Sequence, residues 1–235
     1  MPECLIVTAV QQELGALSGA GGIVGSVETL DIGPYSCRLF RTGNAAILAL
    51  AGGIGPAAAA SATASILALR PGIELVLSAG IGGGFEAAAV NIGDVVLATS
   101  IHFADLGAHS PEKFLDAHAL GWGHANVTCP EHRVRKLASM LTAAGLRTHC
   151  GPIVTVAAAT GTDERALELF QRHGALCEAM EGAGVAVAAA NYKVPVLELR
   201  AISNRAGRRN MNAWDIPLAL KTLARACGVF AETVS

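Results

Sequence analysis

Between Thr42 and Leu69 the chain carries no charged residue, and this restricts its fold more than any other feature. On length alone the stretch reaches across a bilayer. Its middle, however, reads Gly52-Gly53-Ile54-Gly55-Pro56, and a glycine turn with a proline at that depth would leave backbone groups unpaired in lipid. A buried strand, a tight turn and an alanine-rich helix suit the same residues better. Pro56 then falls in the first helical turn, where a missing N–H costs nothing.

The rest of the chain repeats that pattern of short apolar runs and longer segments of helical period. Strands are predicted at residues 4–10, 75–79, 94–99, 153–157, 176–179 and 195–202, with a hairpin-like pair at 36–41 and 45–51. Helices are predicted at 56–69, 130–144, 163–173, 182–192 and 216–233. The run Gly80-Ile81-Gly82-Gly83-Gly84 reads as a loop after the strand at 75–79. Polar segments at 104–123 and 204–215 read as loops of the kind that carry function. This alternation implies a three-layer α/β/α fold, a mixed central sheet flanked by helices, in a single domain over residues 1–235. Hydrophobic residues make up 52% but aromatics only 4%, so small side chains must bring helices close to the sheet.

A formal net charge of -2 with no basic stripe argues against nucleic-acid and membrane-surface partners. Cys4, Cys37, Cys129, Cys150, Cys177 and Cys227 are scattered and read as reduced, buried thiols of a cytoplasmic protein. The start, MPECLIVTAV, has no cationic region and does not read as a secretory signal. The histidines (His102, His109, His118, His124, His132, His149, His173) show no metal spacing. A zinc set from His102, Asp105 and His109 would lack a closed ligand shell, so neither metal nor cofactor is expected. Gly53-Ile54-Gly55-Pro56-Ala57-Ala58 has the outline of a dinucleotide fingerprint. It lies off the first strand, and Ser78-Ala79-Gly80 supplies no acid at the end of the next.

Five polar or glycine-rich groups fall at predicted strand ends. Glu13 follows the first strand, the Gly53–Gly55 turn the hairpin, and Ile81, Gly82 and Gly83 the run at 75–79. Cys177-Glu178-Ala179-Met180-Glu181 precedes a small-residue helix, and Arg200-Ala201-Ile202-Ser203-Asn204 ends the last strand. Each has a plain reading: a packing turn for the glycines, a helix-dipole partner for Glu181. Together, at one edge of an open sheet, they point to one site. Glu181 there suits the vicinal hydroxyls of a sugar.

These residues carry a resemblance. TAVQQEL, AGGIGPAAAA, LSAGIGGGF, IGDVVL, HFADLGA, EAMEGAGVA and RAISNRAGRRNMNAW resemble the nucleoside phosphorylase and nucleosidase superfamily over nearly the whole chain. Within it they look like methylthioadenosine/S-adenosylhomocysteine nucleosidases, and most of all like futalosine hydrolases of menaquinone biosynthesis. The resemblance implies hydrolysis of an N-glycosidic bond, with Glu13 orienting the attacking water and Glu181, beside Met180, holding the ribose hydroxyls. Ile54 and Gly55 would line the water side, Thr160 would present backbone to the base, and Trp214 would shield the 5′ side. It also implies a homodimer or higher homo-oligomer, with residues 102–108, from His102 to Ala108, near the interface.

Where the adenine-specific nucleosidases have Asp, this chain has Asn204. An amide offers a donor and an acceptor without ionising, which suits the O6 and N7 of hypoxanthine, the base of futalosine. Ile81 replaces a frequent Ser, and Ala159 an aromatic under the base. The run Glu74-Leu75-Val76-Leu77-Ser78 lacks the Arg by which phosphorylases of the superfamily bind phosphate, so water is the expected nucleophile. Ser203 is expected among the substrate-binding residues, and Arg208 or Arg209 is expected to meet a substrate carboxylate, against a plain reading as solvated loop cations. The alternatives are an adenine-releasing nucleosidase, a purine nucleoside phosphorylase, and a non-catalytic nucleoside binder on the same fold.

Overall fold

A computed structural model of the chain describes residues 3–122 and 126–234; His124 lies outside them. Strand β1 (Glu3–Thr8) leads into the short helix α1 (Gln11–Ala16). Then β2 (Ser26–Ile32), β3 (Tyr35–Thr42) and β4 (Ala45–Ala51) form an antiparallel meander whose last strand lies parallel to β1. Helix α2 (Pro56–Leu69) returns the chain to β5 (Ile73–Phe85) and β6 (Val95–Phe103). A small hairpin, β7 (Gly107–His109) with β8 (Phe114–Asp116), precedes β9 (Asn126–Thr128). The remainder alternates: α3 (Glu131–Ala143), β10 (Thr148–Thr155), α4 (Asp163–His173), β11 (Cys177–Ala179), α5 (Gly182–Asn191), β12 (Val196–Ala206) and α6 (Ile216–Val234).

The main sheet runs β11-β10-β6-β12-β5-β1-β4-β3-β2, with β9 added beside β6. It is mixed, because β12 lies parallel to β5 and antiparallel to β6. Helix α2 packs on α5, while α1 and α3 pack on α6, so two helical groups flank the sheet. Chain-long burial follows the apolar runs: Leu5, Ile6, Ile47, Leu48, Val76, Leu77, Leu97 and Leu199 are all inaccessible or nearly so, each contributing about 1.5–3 kcal/mol. Among the described residues no helix is long and apolar enough to cross a membrane. The charge-free stretch is β4, a glycine turn and α2, with Pro56 at the helix start.

The glycine run corrects the sequence reading. Gly80, Gly82, Gly83 and Gly84 do not form a loop; they continue β5 to Phe85, pairing with β12 on one side and antiparallel to β11 on the other. Strands β5, β12, β6, β10 and β11 thereby close into a ring. Glycine is required there by close approach. A Cβ on Gly80 would lie 2.5 Å from Nη1 of Arg200 and 2.6 Å from Oε1 of Glu13. Asn204, read as loop, belongs to β12 for the same reason. A further correction concerns Cys150 in β10, which is exposed while the other five free cysteines are buried.

Candidate active site

Glu13 sits in the first turn of α1 and is only 3% exposed. Its Oε2 accepts from the backbone N–H groups of Ala9 (2.8 Å) and Val10 (3.2 Å), and Oε1 from that of Ile81 (2.9 Å). Three backbone donors fix the carboxyl between the end of β1 and the glycine part of β5. Burial pushes its pKa above the ordinary 4.5, opposed by the charge of Arg200 and by the Ile81 and Ala9 bonds. A carboxylate kept basic and rigid is suited to take a proton.

Arg200 is the hub. Its guanidinium is buried and donates through Nε to Oε1 of Glu198 (2.9 Å), through Nη1 to Oε2 of Glu181 (3.1 Å) and through Nη2 to Ser78 Oγ (2.9 Å). Two carboxylates on one buried cation stabilise its charged form further. Glu181 is the N-cap residue of α5 without a side-chain capping bond. Its carboxylate goes instead to Arg200 and, through Oε1, to the N–H of Gly55 (3.2 Å). Gly55 lies at φ +91, a backbone state that favours glycine. The turn that resembled a dinucleotide fingerprint thus serves to hold Glu181.

These groups face a cavity of about 270 Å³ whose walls include Glu13, Ile54, Ile81, Thr160, Met180, Glu181, Ser203, Asn204 and Trp214. Gly82, Gly83 and Glu178 also reach it, and Arg209 stands at its rim. Gly55 is not a wall residue; it acts on the cavity through Glu181. The Asn204 amide is oriented by Ser203, whose Oγ donates to Oδ1 at 2.7 Å, while Nδ2 donates to the Arg205 carbonyl at 3.0 Å. Ser203 Oγ also lies 3.2 Å from the Gly82 carbonyl. The N–H and hydroxyl of Thr160 both donate to Glu178, so neither is left to meet a ligand.

A second cavity, of about 660 Å³, shares Asn204, Arg205, Arg209 and Trp214 with the first and adds Arg208 and Asn210. Arg208 therefore lies in this adjoining space, away from Glu13 and Glu181, and its backbone N–H donates to Oδ1 of Asp163, which lines the same cavity, at 3.0 Å. Arg205 is paired with Glu86 at 2.5 Å. The guanidinium groups of Arg208 and Arg209 have no carboxylate partner among the described residues; Arg209 lies 5.8 Å from the Trp214 ring centroid. Among the described residues no group of three His, Cys, Asp or Glu side chains could hold a metal ion. His102 meets His173 and Ser100, Asp105 meets Arg165, and His109 meets the Phe114 ring edge to face.

The sequence reading gave no role to Glu198, Arg200 or Glu178. Two opposite charges two residues apart in the apolar run Val196-Leu197-Glu198-Leu199-Arg200 were a signal, because a strand places them on one face. Glu178 had no such signal: its partner Thr160, 18 residues earlier in the chain, follows β10 and meets it because β10 pairs with β11.

The chain matches the profile of the phosphorylase superfamily over residues 3–235. It belongs to that superfamily. Two futalosine hydrolases place it more finely: that of Streptomyces coelicolor is 47% identical over 191 residues, 79% of this chain and 78% of the relative. That of Acidothermus cellulolyticus is 44% identical over 226 residues, 94% and 87% of the two chains. The chain belongs with the futalosine hydrolase family of the superfamily. Among solved structures, futalosine hydrolase of Helicobacter pylori superposes with a TM-score of 0.83 at 19% identity, covering 99% and 98% of the two chains. The 5′-methylthioadenosine/S-adenosylhomocysteine nucleosidase of the same organism does so with 0.84 at 20%, covering 99% of each. At such identity these two structures speak for the fold alone.

Proposed function

We propose that the protein hydrolyses the N-glycosidic bond of futalosine, releasing hypoxanthine within menaquinone biosynthesis. The observation that carries this is the placement of Glu13 and Glu181 in one cavity, in a chain 44% and 47% identical to futalosine hydrolases. Glu181, anchored by Arg200 and Gly55, holds the ribose hydroxyls. As the bond to the purine stretches, positive charge builds on the sugar. Glu13 takes a proton from water, whose oxygen bonds to the anomeric carbon while the bonding pair leaves with the base. The free N–H of Asn204 receives the charge arriving on the purine, with Ser203 fixing its orientation.

Water rather than phosphate is the nucleophile in this scheme. The guanidinium beside Gly80 is that of Arg200, which is already committed to two carboxylates, and Glu13 next to it would repel a phosphate dianion. The Ile54 and Ile81 side chains flank the water, Met180 lies under the sugar and Trp214 covers the 5′ side. Arg208 and Arg209, in the adjoining cavity, take the carboxylate of the substrate's tail. Residues 102–108 form part of a homo-oligomer contact, and the free thiols fit a reducing cytoplasm. Hydrolysis in ¹⁸O-labelled water tests the chemistry: label in the sugar product, with no dependence on phosphate, is expected. Phosphate-dependent release of a sugar phosphate would make the protein a phosphorylase.

A further inference from the structure

The cavity holds a third carboxyl that this mechanism does not use. Glu178 is 6% exposed, lines the cavity and has no cationic partner within ion-pair distance among the described residues. Its oxygens accept from the N–H of Thr160 at 3.0 Å and from the Thr160 hydroxyl. A carboxylate has about four acceptor positions, so this leaves room for a further donor.

Its place in the sheet is informative. Glu178 is paired with Gly83 across the β11–β5 contact, and Asn204 is paired with the same Gly83 across the β12–β5 contact. Directly paired residues share a face of the sheet. A Cβ on Gly83 would lie 3.2 Å from Nδ2 of Asn204, which puts that amide over the bare glycine. Two strand spacings separate the flanking residues, about 9–10 Å. Glu178 and Asn204 therefore flank Gly83, where the missing side chain leaves open space bordered by the Ala206 methyl, room for a planar ring with polar atoms along its edge.

We propose that Glu178 reads the purine: its carboxylate accepts the ring N–H that a 6-oxopurine carries beside its carbonyl, while Asn204 donates from the other side of Gly83. This rests on the nucleoside hydrolase reading above. A 6-aminopurine offers a bare nitrogen at the same ring position, and a carboxylate facing that lone pair is an unpaired, repulsive contact. Such mismatches are what let a hydrogen-bonding site reject an analogue. Thr160 positions the carboxylate and is the reason it stays oriented.

The test compares kcat/KM for futalosine and for its 6-amino analogue in the wild type and in Glu178→Gln. With its oxygen held by the two Thr160 donors, the glutamine turns its NH2 to the ring. There it meets the N–H of the 6-oxopurine donor to donor but can donate to the bare nitrogen of the analogue. Futalosine turnover should therefore fall about 10- to 100-fold. The futalosine-to-analogue ratio should fall by at least as much. A parallel loss on both substrates, or no loss on futalosine, would overturn the proposal, since a prop for Thr160 alone would not move the ratio. A second measurement needs no variant. Wild-type protein should bind 1-methylhypoxanthine at least 10-fold more weakly than hypoxanthine, and equal affinities would also overturn it. Failure of the wild type to release hypoxanthine from futalosine would instead count against the hydrolase reading itself.

Discussion

Nη1 of Arg200 lies 3.1 Å from Oε2 of Glu181, and both groups are almost wholly buried. Because the same guanidinium holds Glu198, one cation serves two carboxylates and sets the position of the one that faces the sugar. Removing the cation leaves uncompensated charge in the core, a loss of roughly 3–5 kcal/mol. Arg200→Met is expected to lower the melting temperature by about 10 °C in calorimetry. Adding Glu198→Met should recover part of that loss, whereas an additive loss would show that the pair is not coupled.

Glu13 as the base gives a defined pH response. Burial raises its pKa above 4.5, and the active form is the carboxylate. Activity is therefore present above the raised value and lost as pH falls through it, so the acid limb of kcat/KM should be centred above 4.5. Glu13→Gln should reduce kcat by about 10²–10⁴-fold and flatten that limb. An unchanged acid limb in the variant would assign the titration to another group.

Gly80 lies under both Glu13 and Arg200. Gly80→Ala would drive a methyl group to 2.5 Å from Nη1 of Arg200 and 2.6 Å from Oε1 of Glu13. Overpacking of this kind costs about 1–3 kcal/mol, and displacement of the base should cut kcat about 100-fold. Denaturant unfolding and steady-state rates on the same sample check both. A variant with native rates would mean that β5 can yield at this point.

Arg208→Ala combined with Arg209→Ala should raise the Michaelis constant for futalosine about 10-fold or more, with little effect on inosine, which has no carboxylate. Equal constants for futalosine in variant and wild type would leave the two guanidinium groups as solvated surface.

Asn204→Asp should move preference from hypoxanthine-bearing towards adenine-bearing nucleosides, because a protonated carboxyl can donate to N7 while accepting from a 6-amino group. The ratio of kcat/KM values for futalosine and methylthioadenosine reads this. No shift would place the choice of base elsewhere in the cavity.

Much of this was legible where punctuation is chemical. The bounds of α2 follow from Pro56, and those of α4 from Thr162, which caps Arg165 N, and from Gly174 at φ 59. Strand β2 was not legible because its residues are largely exposed and carry no core-facing alternation. The glycine run read as a loop because glycine ordinarily weakens a strand. Here its missing side chains make room for Glu13 and Arg200, a requirement set by residues far away in sequence. Glu13, Glu181 and Asn204 stand out in the sequence because each follows or ends a predicted strand, although the structure carries β12 on past Asn204. Glu198 and Glu178 lie within strands, and only strand register gives them a role.

The most direct test is the release of base from futalosine, inosine, methylthioadenosine and S-adenosylhomocysteine, each with and without phosphate and followed by chromatography. The account predicts hypoxanthine from futalosine, at a rate phosphate does not alter, and far slower release from the other three. Adenine released from methylthioadenosine or S-adenosylhomocysteine in preference to hypoxanthine from futalosine would contradict it.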